Sequence, residues 1–289
     1  MPRARLFVFA LFVSLLCGCS GVRLAYNNAD TALRWMADGY LDFEPPQAYD
    51  FNTRLAHFHA WHRRQELPRY SELMASASDK LADGLTREEL LWAWDSVNAR
   101  MRAAAGQAAP EMAAVLASLS ADQIVHLEKK FADTNEEFFK KQVKGGEPEQ
   151  RKRRMKRNLE WLNDIFGDLS DAQEERLRAL SDALPLLYTL RLSDRVRWQK
   201  EIVAMIRQHR GAAELGPRLA HWIAHWEGGR APEYQRLTLA HREQYVEMLL
   251  EMDKGMTPKQ REHAVTRLRR YAEDFRALAE EGKPARPGS

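Results

Sequence analysis

The sequence predicts an all-α protein, a multi-helix bundle-like assembly, on three observations. From residue 47 to about 282, apolar residues recur three and four apart, which places them on one face of a helix. Alternating apolar–polar runs are scarce, and no Asn-Gly or Asp-Gly turn separates strand-like stretches. Ser or Thr followed three residues later by Gln or Glu recurs just before the periodic segments, a signature of helix starts. With 289 residues, 45% hydrophobic and 29% charged, the chain has the length and composition of a packed globular protein and not of a disordered one.

The elements follow in order. MPRARLFVFALFVSLLCGCS places Arg3 and Arg5 before an apolar run from Leu6 to Leu16. That run is too short to span ~30 Å of hydrocarbon, which takes about 20 helical residues. It has the length of the apolar region of a secretory signal. The next stretch, GVRLAYNNADTALRWMADGYLDF, is periodic, with Tyr26, Ala29, Leu33, Met36 and Tyr40 on one face. This stripe is expected to pack on the main body and not to lie in a membrane, because Asp30, Asp38 and Asp42 are poor neighbours for anionic lipid. Pro45-Pro46 closes the segment.

Helices are then expected over 47–65, 68–82, 86–105, 108–118, 120–144, 148–166, 170–191, 193–210, 213–227, 232–253 and 257–281. Their breaks fall at Pro68, Gly84, Pro110, Gly145-Gly146-Glu147-Pro148, Gly167, Gly211, Gly228-Gly229 and Gly255. Pro185 should kink or divide the helix that contains it. Residues 283–289 read as a disordered tail. The organisation expected is thus 1–18 signal, 19–46 N-terminal helical segment, and 47–282 all-α as one domain or two subdomains.

Residues 120–166 are unusually charged. One apolar stripe carries Ile124, Leu127, Phe131, Phe138 and Phe139; the other carries Met155, Leu159, Leu162 and Phe166. Two such helices joined by a short Gly-Gly turn are expected to pair as an antiparallel hairpin that projects from the body.

The repeated helix start reads LSADQ at 119–123, LSDAQ at 169–173 and MTPKQ at 256–260, with LTREE at 85–89 as an acidic variant. Ser120 with Gln123, Ser170 with Gln173, Thr257 with Gln260 and Thr86 with Glu89 each fit a capping box, in which the hydroxyl and the Gln or Glu side chain satisfy backbone N–H groups reciprocally. Each cap contributes on the order of 1 kcal/mol. The spacings are unequal, so this is no fixed-period solenoid.

The chain carries three resemblances to known families. Leu16-Cys17-Gly18-Cys19 resembles the lipobox of bacterial lipoproteins. That resemblance implies cleavage before Cys19, a diacylglycerol on its thiol and an acyl group on its new amine. It also implies an outer-membrane address facing the periplasm, since Ser20 stands where inner-membrane lipoproteins tend to carry Asp. The alternative is a cleaved secretory signal with incidental Cys17 and Cys19. Cleavage would remove both Arg3 and Arg5 from the 44 basic residues, leaving the chain close to neutral against 41 acidic ones, so its basic pI says little about partners. It would also leave no cysteine beyond Cys19 to form a disulfide.

The LSADQ-type stretches are locally similar to the LTxxQ motif of Spy/CpxP-like periplasmic chaperones. More broadly, the lipobox, YNNADTALRWMADGYLDF, LSADQIVHLEKKFADTNEEFFKK and MTPKQREHAVTRLRRYAEDFRAL resemble an uncharacterised family of proteobacterial lipoproteins known as a domain of unknown function. The resemblance implies a helical, lipid-anchored envelope protein and transfers no catalytic residue.

Candidate chemistry is sparse. His221 and His225 stand one helical turn apart, as a metal pair would, but Trp222 and Trp226 share that spacing and the HExxH glutamate is missing. In AHFHAWHRR, His59 and His62 can share a face, while Arg63 and Arg64 oppose a cation. No phosphate loop, GxSxG elbow or CxxC is present. The basic run Arg151, Lys152, Arg153, Arg154, Lys156 and Arg157 could meet lipopolysaccharide phosphates or anionic lipid, or form a solvated face paired with Glu136 and Glu137 across the hairpin. Eight Trp are more often core than the lining of a groove for peptide or lipid.

The function expected is that of a lipid-anchored, periplasm-facing outer-membrane protein without catalysis, acting as a binding, scaffolding or chaperone-like component. Its partners would be the membrane through the lipid, and an envelope protein or anionic envelope component, not nucleic acid. No cofactor is expected beyond the covalent lipid on Cys19. The competing expectation is a metal-dependent envelope enzyme built on His221 and His225.

Overall fold

The computed structural model describes residues 21–209 and 211–281. Cys19 and the signal segment, Arg210, and the 283–289 tail lie outside the described residues. Among the described residues there are eleven α-helices, one short π-helical turn and no strand. The helices are α1 (Gly21–Asn27), α2 (Ala29–Leu41), α3 (Pro45–Ala82), α4 (Arg87–Ala117), α5 (Ala121–Phe138), α6 (Gly146–Phe166), α7 (Asp171–Ala183), α8 (Tyr188–Gln208), α9 (Ala212–Ala224), α10 (Pro232–Lys254) and α11 (Pro258–Glu281).

The 38-residue helix α3, about 57 Å at 1.5 Å per residue, is the spine. Pro45 sits at its first position, where a missing N–H costs nothing. Helix α4 runs back antiparallel to it, marked by the Arg54–Glu111, Arg100–Glu66 and Lys80–Glu89 pairs. Helix α11 lies antiparallel along the second half of α3, where Arg261 donates to the Leu81 carbonyl at 2.8 Å, Ser71 to that of Ala272 at 2.7 Å, and Arg63 to that of Leu278 at 3.2 Å.

Three apolar clusters are strung along this spine. The first joins Leu41, Ala109, Ala113, Leu119, Ile124, Leu127, Val203, Ile206, Leu215 and Leu219 at the start of α3. The second joins Leu81, Met155, Leu162, Phe166, Leu177, Leu184, Met248 and Ala264 at its end. A small middle cluster packs Leu67 and Leu278 against Val22, Tyr26, Tyr70 and Phe275, and so binds the first helix to the last.

Two expected breaks are absent. Pro68 lies inside α3 and Pro110 inside α4, so the pairs 47–65/68–82 and 86–105/108–118 are single helices. An interior proline costs ~3 kcal/mol of helix propensity. Each of these sits beside a fully buried residue, Leu67 and Ala109, whose packing keeps the helix unbroken. Pro185 does divide its segment, and the break falls at 184–187 instead of 192.

The expected projecting hairpin is also absent. Helix α5 turns through the π-helical segment Phe139–Val143 and two glycines with positive φ, Gly145 at 94° and Gly146 at 73°, into α6. The two helices do not pair along their lengths. Helix α5 packs on α2 and α8, α6 on α7 and α11, so their apolar stripes enter different clusters. Each stripe packs into its own cluster, and the Gly-Gly turn links the helices that belong to the two.

Candidate functional site

The capping boxes form as the spacing demands. Ser120 Oγ accepts from the Gln123 N–H at 3.2 Å while the Ser120 N–H donates to Gln123 Oε1 at 2.9 Å. Ser170 with Gln173 and Thr257 with Gln260 repeat the arrangement, and Thr86 with Glu89 does so with a carboxylate. A further box, missed in the sequence because a glutamate stands at the cap, has the Glu44 N–H donating to Gln47 Oε1 at 3.0 Å.

The glutamines do more than cap. Gln47 and Gln123 form a reciprocal amide pair, each Nε2 donating to the other's Oε1 at 3.1 and 2.6 Å. Gln47 Nε2 also donates to the Ser118 carbonyl and Gln123 Nε2 to that of Asp42, in each case two residues before the partner's cap. Gln173 and Gln260 repeat this bond for bond, at 2.9 and 3.0 Å to each other and onward to the Gly255 and Asp168 carbonyls. One clasp joins the starts of α3 and α5, the other those of α7 and α11. A carboxylate cannot donate these bonds. The acidic box stands apart from both clasps, with Glu89 facing Lys80 at 3.6 Å instead.

The basic run serves mostly within the fold. Arg154 is only 5% exposed and donates to the Leu184 and Pro185 carbonyls at 2.9 and 3.1 Å, closing the break between α7 and α8. Its burial lowers its pKa and removes it from any surface contact, which corrects the expectation for that residue. Arg151 donates to the Asp182 carbonyl, Arg153 to that of Lys144, and Arg157 to the Tyr188 hydroxyl. Lys152 and Lys156 remain exposed. Glu136 and Glu137 pair with Lys140 and Lys141 on their own helix, not across a hairpin.

His221 and His225 stack with centroids 4.3 Å apart, and His225 Nδ1–H donates to the His221 carbonyl at 2.9 Å. They stand at the wall of an open depression of about 1230 Å³ with Arg197, Glu201 and Trp222. No group of three His, Cys, Asp or Glu placed to hold a metal occurs among the described residues. His62 has a structural place, between the Tyr26 hydroxyl at 3.0 Å and that of Tyr70 at 3.2 Å. Burial lowers the pKa of His62 and His59 and pushes that of Tyr26 up to about 12.

The surface that invites a ligand lies elsewhere. Between α2, α3 and α4 runs an open groove of about 310 Å³, walled by Leu33, Leu41, Leu55, Phe58 and Val115. Two methionines, Met36 at 55% and Met112 at 44% exposed, form its lips. Its charged members, Arg54 and Glu111, pair with each other at 2.5 Å. Nothing in the sequence points to it, because the walls come from three helices, from Leu33 to Leu116, and Met36 and Met112 are unremarkable in their own stretches.

A model of a family described as a family of unknown function (DUF6279) matches residues 39–235. That span takes in α3 and α4, two walls of the groove, and leaves Leu33 and Met36 before it. No curated protein and no solved structure matches the chain.

Proposed function

We propose, from the premise that the chain belongs to this family of unknown function, that it is a lipid-anchored envelope protein that binds an apolar segment of a partner protein. The observation that carries the reading is the methionine-lipped groove. Methionine adapts to irregular apolar surfaces, and a shallow open trough between helices suits an amphipathic helix more than an enclosed small molecule. The paired Arg54 and Glu111 give the trough a polar edge for registering such a helix. Cys19 as the lipid-bearing residue supplies the address, the periplasmic face of the outer membrane.

Three measurements test this. Replacing Cys19 with Ser should move the protein from the membrane to the soluble fraction; unchanged fractionation removes the anchor. A photocrosslinking residue at Met112 should capture a protein in intact envelopes, and Phe58→Glu should abolish the adduct. Equal capture from Lys152, an exposed residue of α6, would remove the groove from the reading. If the partner is an unfolded client, the purified protein also suppresses aggregation of a denatured envelope protein, and Met112→Glu weakens that suppression.

A further inference from the structure

Helices α1 and α2 bury one face and leave the other uncharged. Tyr26, Leu33 and Tyr40 turn inward. Outward, three or four residues apart, stand Leu24, Asn28, Ala32, Trp35 and Gly39, all exposed and none charged, in a chain that is 29% charged. Trp35 is 85% exposed and Leu24 67%. Backbone bonds continue across the junction, Asn28 N–H to Leu24 O and Ala32 N–H to Asn28 O at 3.2 Å each, so the face is one strip, ~22 Å from residue 24 to residue 39.

We infer that this strip lies on the lipid head-group layer of the membrane. The inference rests on the reading of Cys19 as the lipid-bearing residue. Cys19 precedes Gly21 by two residues, a reach of at most ~7 Å, and the head-group layer is itself about 5–7 Å deep on each side. The first turn of α1 is therefore held at the interface, and the strip that follows is of the kind an interface accepts. An exposed Trp with an apolar ring and a polar N–H is at home at the head-group level, and Leu24 supplies a second apolar contact.

The acidic residues that argue against such contact do not occupy the strip. Asp30 is turned to the side and pairs with Arg34 at 3.2 Å, and Asp42 lies beyond the end of α2 in a left-handed conformation. Asp38 stands at the flank. With no basic residue on the strip, docking should not depend on anionic lipid, unlike contact through a polybasic patch. The anchor then fixes orientation as well as distance, because a strip, unlike a point, has a direction.

The test uses the lipidated full-length protein in vesicles of phosphatidylethanolamine and phosphatidylglycerol. Cys19 is consumed by the lipid and Cys17 leaves with the signal, so a single new thiol can be labelled with an environment-sensitive fluorophore. Labels at Ala32→Cys and, separately, Asn28→Cys are expected to shift to the blue and to be quenched several-fold by head-group nitroxide lipids. A label at Lys140→Cys is expected to stay in water. Quenching should persist in about 0.5 M salt, where the screening length falls to roughly 4 Å.

Labels at 28 and 32 that stay in water while the protein floats with the vesicles overturn the inference and leave the anchor standing. Protein that does not float, with Cys19 unmodified by mass, removes both. Labels that are shielded in native envelopes but not in vesicles assign the strip to a partner protein and overturn the lipid contact.

Discussion

At the scale of single residues, the glutamine clasps separate two roles that a helix-start motif combines. A capping box accepts Glu as readily as Gln. The clasp does not, because Gln123 Nε2 donates to Gln47 and to the Asp42 carbonyl. Gln123→Glu should therefore destabilise by about 1–3 kcal/mol at neutral pH, although the cap survives. The loss should shrink as the new carboxyl protonates, so a urea titration at two pH values decides it. If the substitution is neutral, the glutamines only cap. A double-mutant cycle on Gln173 and Gln260 should likewise show coupling of about 0.5–3 kcal/mol.

The caps were legible in the sequence because a cap is local. The clasps were not, because each joins helix starts 76 or 87 residues apart. The buried arginine was hidden for a related reason. Within RKRRMKR nothing distinguishes Arg154 from its neighbours until the break between α7 and α8 presents the Leu184 and Pro185 carbonyls to it.

At the scale of elements, the helix count follows from periodicity, but the partner of each helix does not. The charged stretch 120–166 shows this. Its two stripes were visible, and only the position of α2, α8, α7 and α11 decides that they face apart. Proline as a break also failed where packing on both sides sustained the helix at Pro68 and Pro110.

The α4–α9 contact offers a sharp test of packing. Ala113 is fully buried, and a Cβ added at Gly216 would meet its Cβ at 3.8 Å, an ordinary contact. Packing against α4 should thus accept Gly216→Ala, with the helix-propensity gain of about 0.5–1 kcal/mol offset by crowding of the new Cβ against Pro217, whereas Ala113→Leu should cost about 1–3 kcal/mol by overpacking. Chemical denaturation measures both; a Gly216→Ala loss as large as that of Ala113→Leu would mean that the contact between the two helices cannot accept even one methyl group.

At the scale of the molecule, stability should fall on mild acidification. His59, His62 and His241 have pKa values lowered by burial, so the unfolded chain binds more protons than the folded one. Their contribution is complete above the ordinary His range near 6.5 and is lost as pH falls through it toward their folded values. Melting at about pH 7.5 and about pH 5.5 should show the drop, and His62→Gln should reduce it. Carboxylates with lowered pKa, such as Glu281 beside Arg23, add a second loss only below the usual Glu range.

That last contact has a temporal consequence. Glu281, at the end of α11, bonds Arg23 and Asn27 of α1, and Arg63 bonds both ends. During synthesis α1 therefore waits for the end of α11, 258 residues later, before it can be seated, however early its neighbours in α3 appear. Until the final residues arrive, Tyr26 and Leu67 lack the wall formed by Leu278 and Phe275. Seating of α1 is thus a late event, and loss of the last turns of α11 would leave α1 without its wall while the apolar clusters at either end of α3 could still form.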